Sequence, residues 1–492
     1  MERRTFLKIL SSAGIVSLVS PTFAMEVCKN KVSKSSSALL ESAFRNPPFS
    51  SGVYTWWHWM NGNITKDGIT RDLEAMKANG IAGYQLFEAG SGIPIGPVES
   101  LSDEWVDLIL HTLKESERLG LEFAMHNCPG WSSSGGPWIT PDKAMQIITW
   151  SETKITGGKQ VRIQLPTPKH MFDYYIDTYC LAIPANMKVI PRLSILELSN
   201  RLDKDGVLTW DVPTGEWLIM RFGQTAKDQK NKSAPSKSTG LDCDKFSTEA
   251  LDYHLNCMFK RLMPTMEKIA KHSKIGLLID SYETGDQDWT SDMPAYFEQS
   301  HGYELYPFLP VLANKIVESE ESTKRFLFDF RRVRADMFAE RYYGHFQKRC
   351  KEKGIITYTE PYGGNMMEEL QVAQQLDINM GEFWCGQTVL WANYKYNRTV
   401  KQVASIAHTL GGKVVGAEAF TSEPDADKWL QYPYALKSLG DYMFTRGLSR
   451  IYFHRFAHQP HPTVAPGMTM GAWGLHFDRT NTCLLYTSDA AD

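Results

Sequence analysis

Five carboxylic acids close short apolar runs at separate points of this 492-residue sequence, and their type and placement indicate chemistry. They are Asp280, Glu283, Glu360, Glu382 and Glu418. Five negative charges in one partly desolvated site must raise the pKa of some carboxyls or attract a cation such as calcium. Hydrolysis of a glycosidic bond uses one carboxyl that stays protonated and a second, nearby carboxyl that stays ionised.

The elements that would hold these acids together are short parallel strands. The run Ile275 to Ile279 is too short for an independent helix and suits a strand covered on both faces. Similar runs precede the later acids and alternate with helical stretches. Because parallel strands of a (β/α)8 barrel end around one mouth, this alternation predicts that the acids meet there.

Eight strand-like runs can be counted along the chain. They lie at about 52–59, 83–87, 121–127, 275–279, 355–360, 380–384, 413–420 and 451–458. The sequence therefore predicts the α/β class and a TIM-type (β/α)8 barrel, with strands one to three in 47–148 and strands four to eight in 247–482. Between them, period-2 runs divided by Pro and Gly turns predict a small inserted β domain over 149–246.

The two ends of the chain carry different signals. Arg3 and Arg4 precede an apolar run, and small residues precede a cut after Ala24, which predicts a twin-arginine-type signal peptide over 1–24 and a linker over 25–46. The run is too short for a stable membrane span, so we expect a periplasmic or secreted protein. Residues 483–492 resemble translated sequencing-adapter read-through, which indicates an artefactual tail on a fragment of a larger gene.

The amino-acid composition indicates which classes of molecule the protein binds. The net charge of −3 gives no reason to expect nucleic acid, while 14 Trp and 21 Tyr supply the aromatic platforms on which sugar rings stack. The eight cysteines show no zinc-type spacing. We therefore expect a carbohydrate partner, and the sequence leaves the oligomeric state open.

Histidines stand near the ends of other predicted strands. They are His58, His126, His454 and His458. Each has two interpretations, which are binding of sugar hydroxyls with tuning of the acids, or a structural hydrogen bond.

Several longer motifs are similar to those of glycoside hydrolase family 106, the α-L-rhamnosidases. They occupy residues 56–63, 67–74, 126–138, 280–283 and 416–421. The resemblance extends from about Pro47 to Thr482. It implies an inverting enzyme with a (β/α)8 catalytic domain and calcium at the active site, acting on terminal α-L-rhamnosides of plant-type polysaccharides or glycosides.

The resemblance also implies roles for individual residues. Glu283 would be the general acid and Glu418 the base that activates water, with Glu382 and Asp280 as metal-directed carboxylates. The substrate-binding candidates are Trp57, His58, Asn61, His126, Asn127, Trp131, Asp280, Glu360 and His454.

Two other functions fit the same residues. A retaining glycosidase of another barrel family would also use two carboxylates, and an inactive sugar-binding fragment would keep the acids without turnover. Activity on an aryl α-L-rhamnoside separates a catalyst from a binding protein.

Overall fold

The computed structural model of the protein describes residues 34–131, 134–385, 389–412, 414–424, 431–465, 467–470 and 477–481. The chain divides into two compact units, residues 1–52 and 53–492. In the first unit, helix α1 (Lys34–Arg45) occupies much of the predicted linker 25–46. The predicted signal peptide and the predicted tail lie outside the described residues.

The second unit is built on a closed barrel of eight parallel strands, which confirms the predicted fold class. In chain-order numbering these strands are β1 (Val53–Met60), β2 (Ile81–Ala89), β3 (Glu122–His126), β13 (Ile275–Ile279), β15 (Ile356–Thr359), β16 (Ile378–Trp384), β17 (Val415–Thr421) and β18 (Arg450–Ala457). Each strand pairs with its predecessor and successor among these eight, and β18 closes the ring against β1. All eight carboxyl ends therefore meet at one mouth.

Helices follow the strands as the alternation predicts. They are α2 (Lys66–Ala78), α3 (Asp103–Leu119), α4 (Thr248–Phe259), α5 (Met263–Ala270), α6 (Met293–His301), α7 (Leu309–Leu312), α8 (Glu320–Met337), α9 (His345–Lys351), α10 (Glu369–Ala373), α11 (Val389–Leu410) and α12 (Pro433–Thr445). Residues 338–344 join α8 to α9 as a π-helical segment. Among the described helices, none has the length and apolar character needed to cross a membrane.

Helix α2 shows how sequence signals place an element. Thr65 caps it, because its hydroxyl accepts a hydrogen bond from the Gly68 amide at 3.1 Å. Ile69, Leu73 and Met76 recur at helical spacing and are fully buried. The predicted start at Thr65 and end near Asn79 are confirmed.

The predicted β insertion lies between β3 and β13. Its strands are β4 (Gly135–Gly136), β5 (Gln146–Thr156), β6 (Lys159–Gln164), β7 (Ile176–Pro184), β8 (Val189–Ile190), β9 (Leu196–Glu197), β10 (Val207–Val212), β11 (Glu216–Ala226) and β12 (Leu241–Asp242), while β14 (Ile316–Val317) pairs with β8 from beyond the insertion. A four-stranded sheet of β5, β11, β7 and β9 packs on the β6–β10 pair around Leu208, Trp210 and Ile219.

Residues 227–240, here called the return segment, lead from this insertion back across the barrel mouth. Buried Asn231 donates to the Pro129 carbonyl at 3.0 Å, and the Lys232 carbonyl accepts from the Trp131 amide at 3.1 Å. Gly130 has φ +77°, and a Cβ there would meet the Lys232 carbonyl oxygen at 2.1 Å. The backbone of the return segment is therefore fixed against the loop that follows β3.

Candidate active site

A cavity of about 600 Å³ opens at the carboxyl ends of the barrel strands. Its lining combines acids with aromatic and apolar side chains. The lining residues used below are Trp56, His58, Phe87, Trp131, Asp280, Glu283, Glu382, Trp384, Glu418, His454, Met468 and Met470. A few carboxylates in a largely apolar cavity of this size are typical of a small-molecule site.

Four of the five predicted acids form a group here called the acid floor: Asp280, Glu382 and Glu418 line the cavity, and Glu360 is buried next to Asp280 and Glu418 without lining it. Glu382 and Glu418 are register partners on neighbouring strands β16 and β17. Asp280 follows β13 and Glu360 follows β15, which pairs with β13. The strand-end pattern therefore brings four acids together from four consecutive strands of the barrel.

Desolvation dominates the electrostatics of the acid floor. Burial raises the pKa of Asp280 to about 7, and the charge of Glu283 adds to this effect. Burial also raises the pKa of Glu382 to about 7, although hydrogen bonds from Trp384 and Tyr362 oppose it. For Glu360 and Glu418, burial and the neighbouring acids raise the pKa well above the ordinary range.

Tyr362 links two acids of the floor. Its hydroxyl contacts Glu360 Oε2 and lies 2.8 Å from Glu382 Oε2. A phenol has one proton and donates to one carboxylate at a time. One of the two contacts therefore requires a proton on the carboxyl, which agrees with the raised pKa values of both acids.

Glu283 differs from the acid floor because basic and polar donors meet it at the cavity rim. Its Oε2 accepts from Lys232 Nζ at 2.7 Å and from Trp131 Nε1 at 3.1 Å. Its Oε1 has only a weak contact, 3.5 Å from the Ser281 hydroxyl, among the described residues. One oxygen of Glu283 is thus held by two donors, and the other has only the weak Ser281 contact among the described residues.

Most of the sequence matches a known family. The family model for glycoside hydrolase family 106, described as alpha-L-rhamnosidase, matches residues 45–178 and 168–489. The chain belongs to glycoside hydrolase family 106. The predicted family membership is therefore confirmed.

Two relatives place this family 106 member among known proteins. It is 41% identical over 474 residues to a Formosa agariphila protein named "Putative beta-glucuronidase", covering 90% of this chain and 40% of that protein. Its fold is similar to the structure of a rhamnosidase from Novosphingobium sp. PP1Y, with a TM-score of 0.83 at 24% identity, covering 92% of this chain and 59% of that one. The chain thus spans less than two thirds of the length of either relative.

Three further predicted site residues line the cavity of this family 106 protein. His58 is buried beside His454, with ring centroids 5.2 Å apart. Burial lowers the pKa of His58 well below its ordinary value, and the neighbouring His454 and Arg455 lower it further. His58 is therefore a neutral hydrogen-bonding group, and Trp131 adds an aromatic wall across from it.

Two residues of the first motif lie outside the cavity. Trp57 is fully buried on the outer face of β1, and its Nε1 donates to Asp72 Oδ2 at 3.2 Å. Asn61 donates to the Ile93 carbonyl at 2.7 Å and lines a separate cavity of about 170 Å³. Successive strand residues point to opposite faces, so the inward position of His58 turns Trp57 outward.

Two residues at the end of β3 are also placed away from the cavity lining. His126 is buried with its Nδ1 against the Cys128 backbone, and burial lowers its pKa to about 3. Asn127 donates to the Leu278 carbonyl at 2.9 Å and accepts from Ser134. These contacts are structural hydrogen bonds rather than contacts that face the cavity. They fix the loop that carries Trp131.

A cation site can be compared with the predicted ligands Glu382 and Asp280. Asp280, Glu360 and Glu418 each offer an oxygen, and these three atoms lie within 4.8 Å of one another. Glu360 Oε1 is buried with no donor reaching it in the described part of the chain. Carboxylate oxygens at this spacing fit calcium. Glu382 is not one of the three; its Oε1 accepts from Trp384 Nε1, and its Oε2 lies 2.8 Å from the Tyr362 hydroxyl.

Several cavity residues were missed at the level of sequence. Trp56 and Trp384 lie two residues from His58 and Glu382, and strict strand alternation would have identified both. Phe87 ends β2 in the same way. The polar stretch 227–238 predicts a loop that returns to the barrel mouth, but nothing in its sequence distinguishes Lys232 from its other polar residues.

Proposed function

We propose that this protein hydrolyses terminal α-L-rhamnosides by inversion, with Glu283 as general acid and Glu418 as general base. The observation that carries the proposal is that both carboxyls line one cavity although they come from distant strands. Inversion requires room for a water, so we expect the two carboxyl groups to lie roughly 6.5 to 9.5 Å apart.

The contacts of the two acids support different roles. Glu283 Oε2 is held by Lys232 and Trp131, so Oε1 is the oxygen that would carry the proton to the leaving group. Glu418 accepts from the Thr421 hydroxyl at 2.5 Å, which orients its carboxyl within the cavity. In this position Glu418 would take a proton from a water that attacks the sugar from the opposite face.

The walls of the cavity suit a 6-deoxy sugar. Phe87, Met468 and Met470 present apolar surface, and rhamnose carries a methyl group where other hexoses carry a hydroxymethyl group. Neutral His58 would hydrogen-bond ring hydroxyls without adding charge. The proposed substrate class therefore rests on apolar contact together with a small number of polar groups.

Calcium is part of this proposal. Asp280 and Glu360 would hold it together with the Glu418 carboxylate. When bound, calcium would supply positive charge that keeps these acids ionised and would accept sugar hydroxyls as ligands. Removal with a chelator should abolish activity and added calcium should restore it, and full activity after confirmed metal removal would contradict this component.

A β-glucuronidase is the second candidate, because one relative carries that name. The carboxylate of a terminal glucuronate would need a cationic partner, and the described cavity lining contains no Lys or Arg to pair with it. A carboxylate buried without such a partner is costly. The geometry therefore favours the neutral rhamnoside.

The deciding experiment is an assay with an aryl α-L-rhamnoside and an aryl β-D-glucuronide, with NMR detection of the first-formed anomer. We expect cleavage of the rhamnoside only, with β-L-rhamnose as the first product. Glu418→Gln should lower turnover of every rhamnoside by roughly 10² to 10⁴. Glu283→Gln should spare aryl glycosides, whose leaving group needs little protonation, and impair sugar leaving groups. Retained configuration or cleavage of the glucuronide alone would refute the proposal.

A further inference from the structure

The return segment carries a strongly basic stretch over the mouth of an acidic cavity. Within residues 227–240 the sequence has four lysines, at 227, 230, 232 and 237, and one acid, Asp228. Lys227 donates to the Asp286 carbonyl at 2.6 Å, and Lys230 lies 3.8 Å from Asp228. Lys232 alone among these four contacts a residue assigned to catalysis.

The position of Lys232 is fixed by its backbone. Its carbonyl accepts from Trp131, and the preceding Asn231 is 3% exposed and bonded to Pro129 and Ser238. The next residue, Ser233, accepts from the Gly90 amide at 2.7 Å. Two barrel loops, after β2 and after β3, therefore hold the point from which the Lys232 side chain extends, together with a contact inside the return segment.

The ammonium group of Lys232 has unused donors. Its side chain is 52% exposed, and Glu283 is its sole hydrogen-bond partner among the described residues. An ammonium has three N–H donors, so two face solvent beside Glu283. A general acid must touch the oxygen of the leaving group, and its neighbour Lys232 therefore lies on the leaving-group side.

We propose that Lys232 selects substrates whose leaving group carries an anion, either the carboxylate of a hexuronic acid or a sulfate ester, on the sugar attached to the rhamnose. This inference rests on the proposed roles of Glu283 and the cavity. An anion near the acid floor is repelled unless a cation pairs with it, and Lys232 is the cation positioned at that rim. The cavity would bind the neutral rhamnose, and Lys232 of the return segment would bind the charged sugar attached to that rhamnose.

The test compares kcat/KM for matched pairs of substrates. The first pair is a rhamnosyl hexuronic acid and its uncharged methyl ester, and the second is a rhamnosyl hexose with and without a sulfate ester. We expect the wild-type protein to prefer the anionic member of at least one pair by roughly tenfold, which is the scale of a charge-assisted hydrogen bond. The pair that shows the preference identifies carboxylate or sulfate.

Variants assign the preference to this side chain. Lys232→Met should reduce the preference to about one, Lys232→Arg should retain most of it, and the matched control Lys230→Met should leave it unchanged. The preference should also weaken as salt concentration rises, because the paired charges lie at an exposed rim. Calorimetric binding to a Glu418→Gln protein should show the same discrimination without turnover.

Defined outcomes overturn the inference. Equal kcat/KM for both members of both pairs in the wild type, or a preference that persists in Lys232→Met, would refute it. If Lys232→Met does not fold, the wild-type substrate pairs and the Lys232→Arg protein still decide the outcome. The aryl α-L-rhamnoside lacks the charged sugar, so its cleavage without any anionic preference rejects this inference alone. Failure to cleave it rejects the proposed function, and the inference with it.

Discussion

Two buried acidic regions in the barrel unit differ in how the negative charge of their carboxylates is compensated. In the middle of α2, Asp72 is fully buried and accepts hydrogen bonds from Trp57, His458, Gln459 and Arg479; this group is here called the Asp72 hub. In the acid floor, Asp280, Glu360, Glu382 and Glu418 chiefly face one another. The comparison separates a buried acid that has several hydrogen-bond donors from buried acids that lie next to one another.

The donors of the hub are specific. Asp72 Oδ2 lies 2.8 Å from His458 Nδ1 and 3.1 Å from the Gln459 amide, while Oδ1 accepts from Arg479 Nε at 2.9 Å. The Thr65 amide lies 3.3 Å from His458 Nε2, so Nε2 accepts and Nδ1 donates to the aspartate. Burial strengthens the hydrogen bonds of a carboxylate that has such donors. Burial instead raises the free energy of ionised carboxylates that face one another.

The largest effect that tests this comparison is Asp72→Asn. The change removes the charge that pairs with Arg479 and leaves that guanidinium without its anion, so we expect a loss of roughly 3 to 5 kcal/mol in the free energy of unfolding. Denaturant unfolding measures it. The control is Asp67→Asn on the same helix, where the exposed pair with Arg71 should contribute less than about 1 kcal/mol. Equal losses in the two variants would remove the distinction.

A smaller effect of opposite sign is expected for Glu360→Gln in the acid floor. Burial and neighbouring acids raise the folded-state pKa of Glu360, so the folded protein binds more protons than the unfolded chain above pH 4.5. Stability from this group therefore falls as pH rises, and its removal should raise the melting temperature at pH 8 and change it little at pH 4.5. Melting curves in chelator measure this, and a variant less stable than wild type at pH 8 would contradict it.

The smallest effect should come from Glu88, an acid between the two extremes. Its Oε2 accepts from Ser100 at 2.6 Å, while Oε1 is buried with no partner in the described ranges, and burial raises its pKa from 4.5 to about 7. Its unfavourable contribution therefore grows between pH 4.5 and about 7. We expect Glu88→Gln to stabilise the protein at pH 8 by about 1 to 3 kcal/mol, and to lose this advantage at pH 4.5. A gain independent of pH would contradict the assignment.

Much of the fold was predictable because the signals are local. The alternation of short apolar runs with amphipathic helices predicted the eight-stranded barrel, and Thr65 and Asn79 marked the ends of α2. The linker over 25–46 stays a prediction, although residues 34–45 within it form the helix α1. Serine-rich sequence favours a linker on composition alone, although Leu39, Leu40 and Phe44 recur at helical spacing.

For the candidate site, the sequence by itself determined the acids, because parallel strands of one barrel must bring their carboxyl ends to one mouth. Asp280, Glu360, Glu382 and Glu418 followed from that rule. Tertiary structure alone decided the rest. It brought Lys232 to Glu283 across 51 positions of sequence. Contacts between distant segments depend on the path of the chain in space, and no local pattern of residues records that path.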